Sequence, residues 1–455
     1  MKSTVAPLEE NKVRLSVEID VAEFDQTIDE AFKKIAKEVR LPGFRPGKAP
    51  RKLLEAHVGL QVARAQALQD GIPQFLAKAV KEHSVDLIAP PDIKITAGEE
   101  DGPVSFDAEC EVRPEIQVPG YAGLKVQLDS LVATEEELET TLKNEMRRHG
   151  ALTDVDRAAA HGDFVVLDIA GTRDGEPVPG LNTDDWTYEV GRGWVAPNFD
   201  DQLVGAKAGD ELKFVGTPNG TEEPADFEVK VQRVQELVSP ELTDEWVSEN
   251  VGEGEITTVD QYKDSIRERL SAMKANQVRS TVVDKVAESL AGLVDVEAPK
   301  SMVDSDMQQR LQNTLRQFQS QGIALDQWLS VTGQTTDDFI ANIRTQSERA
   351  VKVDLALRAI VRAEGIEVDE VDLQAEFDRI AMQVGEKAER VRAVYEKNDA
   401  IDELTVEISK TKALDWLLHN VEMVDPEGNK LENDDVLGHD HSHDHSHDGE
   451  HDHNH

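Results

Sequence analysis

The sequence predicts a multidomain α+β protein: an N-terminal α+β domain, a small, mainly antiparallel β domain carrying a helix, and an all-α C-terminal domain. Three observations predict it. The length of 455 residues is enough for about three domains. Apolar residues alternate over KVRLSVEIDV (12–21) and again over DFEVKVQRV (226–234), the period of half-buried strands. From about Glu241 to Val424 they recur every three or four residues instead, the period of helices.

Composition narrows the function classes. The formal charge is −42, with 39% apolar and only 5% aromatic residues. No run of about 18 apolar residues is present, so no membrane span is expected. The start, MKSTVAPLEENK, has no apolar core of a secretory leader, and the single cysteine, Cys110, has no internal partner. Together these point to a reducing, cytoplasmic location. The overall acidity opposes non-specific binding to nucleic acid or anionic lipid.

The N-terminal domain, residues 1–112, opens with the strand 12–21, whose apolar set is Val13, Leu15, Val17, Ile19 and Val21. Phe24, Ile28, Phe32, Ile35 and Val39 then form one helical stripe, with Lys33, Lys34 and Lys37 off it. A second helix begins near Arg51, carries Leu54, Val58 and Val62, and gives way to a helical stretch to about Ser84. Between the two helices lies LPGFRPGKAP (41–50), where three prolines and two glycines make a stiff, sharply turned tip. Residues 33–52 hold eight cations against the single acid Glu38, a local charge of +7 in an acidic chain. A rigid tip with Phe44 and several cations is a good docking device, and a Lys-rich hairpin whose loop merely turns fits the same residues. A phosphate loop does not fit: Gly43 and Gly47 are too close, and Ala49 follows the lysine. SFDAECEVRP (105–114) closes the domain with Phe106, Ala108, Cys110 and Val112 on one face, so Cys110 points inward as a small hydrophobe.

Residues 113–150 read as a connector broken by Pro114, Pro119, Gly120 and Gly123, followed by a helix with Thr134 and Glu137 as a capping box. Its stripe is Leu138, Leu142 and Met146. Residues 151–240 carry the strands FVVLDIAG, WTYEV, ELKFVG and DFEVKVQRV. Trp186, Tyr188, Trp194, Phe199 and Phe227 gather there, either lining a pocket or forming an ordinary β core; pattern alone slightly favours the core. In residues 241–424, Val303, Met307, Leu311, Leu315 and Phe318 form one stripe, Phe377, Ile380 and Val384 a second, and Ile401, Leu404 and Ile408 a third. Gly322, Gly333, Gly365 and Gly385 mark helix ends. Such narrow stripes suit a compact bundle or long arms equally. Residues 425–455 read as a disordered, acidic, His-rich tail. Imidazoles of His439, His441, His443, His445, His447, His451, His453 and His455 beside carboxylates suit nickel, zinc or copper; an inert solubilising tail is the other reading.

The tip GFRPGKAP resembles the ribosome-docking signature of the bacterial trigger factor family, chaperones of the nascent-chain exit tunnel, with Gly43, Phe44, Arg45, Gly47, Lys48 and Pro50 at the motif positions. That resemblance makes residues 1–112 a ribosome-binding domain, with Phe44, Arg45 and Lys48 as direct contacts to a ribosomal protein and local ribosomal RNA of the large subunit. It also selects arms for the helices of 241–424, which would cradle unfolded nascent chains. The β domain resembles FKBP-type peptidyl-prolyl isomerases, carried at this position by trigger factors. By that likeness the catalytic pocket comprises Trp186 and Tyr188 on an aromatic strand, Val195 and Ala196 as the apolar pair, Phe199 at the floor and Phe227 on the last strand. Departures are the small Ala196, Val178-Pro179 where many members have Phe-Asp, and a short 217–226 loop lacking a flap tyrosine. The resemblance therefore implies an ATP-independent chaperone that assists folding and export, requires no cofactor, and dimerises off the ribosome. Its isomerase activity would be weak on short peptides. Alternative classes are a dedicated prolyl isomerase and a metal-handling chaperone using the tail.

Overall fold

The computed structural model describes residues 1–9, 11–39, 44, 50–221, 223–251 and 255–438. Contacts divide the chain into two units, residues 1–127 with 282–433 and residues 128–281 with the segment from Asp434.

The first unit begins with β1 (Lys2–Pro7) and β2 (Lys12–Ile19), followed by α1 (Val21–Glu38), α2 (Arg51–Val58) and α3 (Leu60–Glu82). Strands β3 (Asp92–Ala97) and β4 (Val104–Glu111) complete an antiparallel sheet in the order β1-β2-β4-β3. Leu15, Val17 and Ile19 of β2 and Phe106, Ala108 and Cys110 of β4 are fully or almost fully buried against Phe24, Phe32 and Phe75 of the helices. Burial raises the pKa of the Cys110 thiol, in keeping with its inward orientation. Two details differ from the sequence reading. Val21 is exposed and helical, because the Asp20 carboxylate caps α1 by accepting from the Glu23 N–H and ends the strand early. Gly59 adopts φ +83° and separates α2 from α3, so Val62 lies off the Leu54–Val58 stripe and is exposed.

A 3₁₀ turn (Tyr121–Gly123) and the short β5 (Lys125–Gln127) end this part of the first unit. The second unit follows with α4 (Glu135–Arg148), whose expected capping box is present between Thr134 and Glu137. Leu138 and Leu142 pack on Ile266 of α7, defined below. Then come β6 (Ala151–Asp154), β7 (Phe164–Arg173), β8 (Glu176–Glu189), α5 (Phe199–Leu203), β9 (Glu211–Gly216) and β10 (Ala225–Val238). The sheet runs β6-β10-β7-β8, with β9 also on β10, and every pairing is antiparallel. Helix α6 (Asp244–Asn250) leads to α7 (Val259–Gly292), a continuous 34-residue helix that ends in the first unit.

The remaining helices of the first unit are α8 (Lys300–Gln321), α9 (Leu325–Thr332), α10 (Thr336–Glu364), α11 (Glu370–Val384), α12 (Ala388–Lys397) and α13 (Ile401–Asn420). Gly322, Gly333, Gly365 and Gly385 end helices in the left-handed conformation, as their spacing suggests. Apolar packing is divided among small clusters: Val303 with Val351 and Leu355, Leu329 with Phe339 and Ile343, and Phe377 with Ala381, Val391 and Leu404. The buried face of α11 runs through Phe377 and Ala381, which leaves Val384 exposed rather than on the expected stripe. Asp354 of α10 accepts from Lys410 of α13 (2.7 Å), Arg113 (2.8 Å) and Arg358 (3.0 Å), tying β4's end to two helices.

The chain does not turn to tail at residue 425. Strands β11 (Glu422–Val424) and β12 (Lys430–Leu431) join β5 in a three-stranded sheet, with β11 parallel to β5. The Asp425 carboxylate accepts from the Asn429 backbone and side-chain N–H groups, and Val436 of α14 (Asn433–Leu437) is fully buried. A polar composition thus conceals one capped turn and one apolar anchor. All eight histidines assigned to a metal role, from His439 to His455, lie outside the described residues.

Candidate functional site

The β domain brings its predicted residues together. Trp186 and Tyr188 stand two apart on β8, so both project to one face of the sheet. Phe227 on β10 pairs in register with Phe214 on β9, and their rings stack at 5.3 Å. Phe199 opens α5 and meets Tyr188 edge-on at 5.4 Å, Phe227 at 5.9 Å and Phe214 at 5.8 Å. Trp186 lies 4.9 Å from Tyr188. Val195 and Ala196 complete one continuous apolar cluster with these rings.

The cluster has a closed floor and a more accessible rim. Tyr188, Ala196, Phe199 and Phe227 are at most 1% exposed, whereas Trp186 and Phe214 are half-buried. Trp194, whose ring approaches Tyr188 at 6.4 Å, is 64% exposed, with the Arg192 guanidinium over its face. The four most buried residues therefore brace the site, while Trp186, Phe214 and Trp194 offer surface to a visitor. Phe214 went unassigned in the sequence because β9 reads as a plain strand; only its register with Phe227 gives it a role.

The loop between β8 and α5 is fixed from several sides. Asp200 Oδ1 accepts from the Tyr188 hydroxyl (2.7 Å) and the Gly191 N–H (2.8 Å), and Oδ2 from the Gly193 N–H (2.8 Å). The Asn219 side chain donates to the Gly193 carbonyl (2.6 Å), and its backbone N–H to the Val195 carbonyl (2.9 Å). Asn198 donates to the Val215 carbonyl of β9. This close approach requires Gly216: a Cβ there would stand 2.8 Å from Asn198 Oδ1 and 3.3 Å from the Phe227 ring. Burial raises the pKa of the Tyr188 phenol well above its ordinary value, and the bond to Asp200 adds to the rise. The hydroxyl therefore stays protonated and acts as a hydrogen-bond donor.

Phe44 is 42% exposed, and Pro50 is exposed at the start of α2. Gly43, Arg45, Gly47 and Lys48 lie outside the described residues. The local charge is partly neutralised from outside the 33–52 window. Arg51 binds Asp25 and Asp29, each at 2.6 Å, and Lys34 binds Asp70 at 2.9 Å. The Arg51 bond holds the Asp25 carboxyl below its usual range. Lys33, Lys37 and Lys52 are exposed and have no ion-pair partner among the described residues.

Comparison with known proteins connects these sites. Residues 1–145 match the family model "Bacterial trigger factor protein (TF)", and residues 258–419 match "Bacterial trigger factor protein (TF) C-terminus". Residues 155–232 match "FKBP-type peptidyl-prolyl cis-trans isomerase". A trigger factor of a Nocardioides species is 33% identical over 435 residues, covering 95% of this chain and 92% of that protein. The trigger factor of Halothermothrix orenii is 32% identical over 422 residues, 91% of this chain and 98% of its own length. A structure solved in work on promiscuous substrate recognition by the trigger factor chaperone matches the fold with a TM-score of 0.50 at 21% identity. That match covers 92% of this chain and 99% of the other. The chain belongs to the trigger factor family of chaperones and carries an FKBP-type peptidyl-prolyl isomerase domain.

Proposed function

We propose that the aromatic cluster of residues 186–227 is the isomerase site and that the loop 43–50 docks the chaperone at the ribosomal tunnel exit. Convergence of Trp186, Tyr188, Val195, Ala196, Phe199 and Phe227 in one apolar cluster carries the first part. Amide resonance sets a barrier of ~18–20 kcal/mol, and uncatalysed X-Pro exchange takes tens to hundreds of seconds. No bond to the client need form. An apolar seat for the proline ring favours the twisted amide, which has lost its resonance dipole, over the planar one. The floor residues hold that seat's shape, and Trp186, Phe214 and Trp194 meet the client. The test is exchange spectroscopy of an X-Pro peptide with the full chain and with residues 151–240. Exchange no faster than in buffer would leave the domain a binding module only.

Docking would use Gly43, Phe44, Arg45, Gly47, Lys48 and Pro50 against a ribosomal protein, with Lys33, Lys37 and Lys52 facing nearby ribosomal RNA of the large subunit. The exposure of Phe44 and of those three lysines supports this. Nascent chains would be held by apolar side chains the helices leave uncovered. Val331 and Met382 are 84% and 86% exposed, and Val371 and Val394 are exposed as well. Burial of such surface yields ~25 cal/mol per Å² without requiring a defined client sequence. Off the ribosome the same surface supports a homodimer. The protein acts in the cytoplasm without a cofactor, and no helix of the described residues is long and apolar enough to cross a membrane. Nickel or zinc on the histidine tail would be incidental. Titrating zinc into full-length and 1–438 protein tests this, and equal stoichiometries would remove the tail as a site.

A further inference from the structure

We propose that Asp200 is the positioning residue of the isomerase site, holding the loop that carries Trp194, Val195 and Ala196 against Tyr188 and Phe199. The assignment of a catalytic role rests on the isomerase reading; the holding of the loop does not.

Asp200 is 8% exposed and has no cation partner among the described residues. A carboxylate so enclosed is costly unless its oxygens are satisfied by donors. Here the donors come from two places. One is the Tyr188 hydroxyl, rooted in β8 beneath the site. The others are the Gly191 and Gly193 N–H groups, on the loop above it. Asp200 thus bonds the floor through Tyr188 and the loop through Gly191 and Gly193. The two loop donors alternate along the chain, and both glycines adopt positive φ, +102° and +66°. The glycine backbone thereby brings two N–H groups of one loop onto the two oxygens of one carboxylate.

Position in sequence makes the arrangement effective. Asp200 follows Phe199, the central ring of the floor, and Gly193 precedes Trp194, Val195 and Ala196. Fixing Gly193 against Asp200 therefore fixes the loop's apolar residues relative to Phe199. Asn219 secures the opposite side of the loop through the Gly193 and Val195 carbonyls but makes no bond to the floor residues. A role in charge transfer is not required, because isomerisation moves no proton.

Asp200→Asn tests the assignment in the full chain. Asparagine keeps the one oxygen that accepts from both Tyr188 and Gly191 but points its amide N–H₂ toward the Gly193 donor, so the loop loses that tether while volume is conserved. Tyr188→Phe removes the floor bond and keeps both loop bonds. Val165→Ala, a cavity in the same core, serves as a control for stability alone. Expected for Asp200→Asn are faster amide hydrogen exchange confined to residues 190–198 and a fall of about tenfold in kcat/KM, as misplacement of a site by about 1 Å can cost up to 10²-fold. Tyr188→Phe is expected to leave exchange of 190–198 near wild type. Unchanged exchange in Asp200→Asn, or an activity loss matched by Val165→Ala at equal thermal shift, would overturn the proposal. If the wild-type chain shows no isomerase activity, the isomerase reading fails, and the exchange comparison alone decides whether Asp200 holds the loop.

Discussion

Replacing Asp354 by Asn should loosen the helical part of the first unit. Asp354 sits where α10, α13 and the chain after β4 meet, and it accepts from Lys410, Arg113 and Arg358 at 2.7–3.0 Å. Its side chain and those of its three partners are each less than one-fifth exposed. Burial works to raise its pKa, yet the Lys410 hydrogen bond and the charges of Lys410, Arg358 and Arg113 hold it below the usual carboxylate range. Breaking a buried ion pair by removing one partner costs about 3–5 kcal/mol, and the remaining solvent access brings the figure here to ~3 kcal/mol. At about 1.4 kcal/mol per tenfold, amide exchange in α10 and α13 should accelerate ~100-fold at pH 7. The sign with pH follows from the lowered pKa. The stabilisation is present above the unfolded value of about 3.9 and disappears as pH falls through the lower folded value. The wild type and the variant should therefore begin to converge as pH falls below about 4 and meet only below the lowered folded value. Hydrogen exchange read by mass spectrometry on peptides of α10 and α13 measures both effects. Rates within threefold of wild type at pH 7 would refute the claim that this cluster holds the helices to the N-terminal domain.

Other outcomes follow from single side chains. Ser347 on α10 is fully buried, and its hydroxyl has no hydrogen-bond partner among the described residues; Ser347→Ala should therefore stabilise by ~1 kcal/mol in thermal unfolding. Gly216→Ala should cost about 1–3 kcal/mol and slow isomerisation, because the new Cβ meets Asn198 and Phe227; enzyme kinetics alongside thermal unfolding measures both. Thr134→Ala removes the capping box of α4 and should cost about 1 kcal/mol by the same thermal assay.

Legibility followed the range of the interactions. The buried faces of β2 and β4, the capping box at Thr134 and the four helix-ending glycines depend on neighbours within a turn or two, and the pattern of residues 12–19 or 104–111 suffices to find them. Strand β5 reads in the sequence as a broken connector because its parallel partner β11 lies almost 300 residues away. The basic island lost part of its charge for the same reason: Asp25, Asp29 and Asp70 neutralise Arg51 and Lys34 from other turns and another helix. In the β domain the rings were visible in the sequence, and the FKBP resemblance named six of the residues that cluster. Asp200 was not visible, since an acid after Phe199 reads as a helix's first-turn residue. Its role emerges only when β8 and its following loop fold over it.

The central claim is modular: the N-terminal tip docks on the ribosome, and the β domain isomerises prolines independently. The most direct measurement replaces Phe44, Arg45 and Lys48 together by Ala and follows ribosome co-sedimentation and prolyl isomerisation separately. The account predicts loss of co-sedimentation with the isomerase rate unchanged. Undiminished ribosome binding by the triple variant would contradict it.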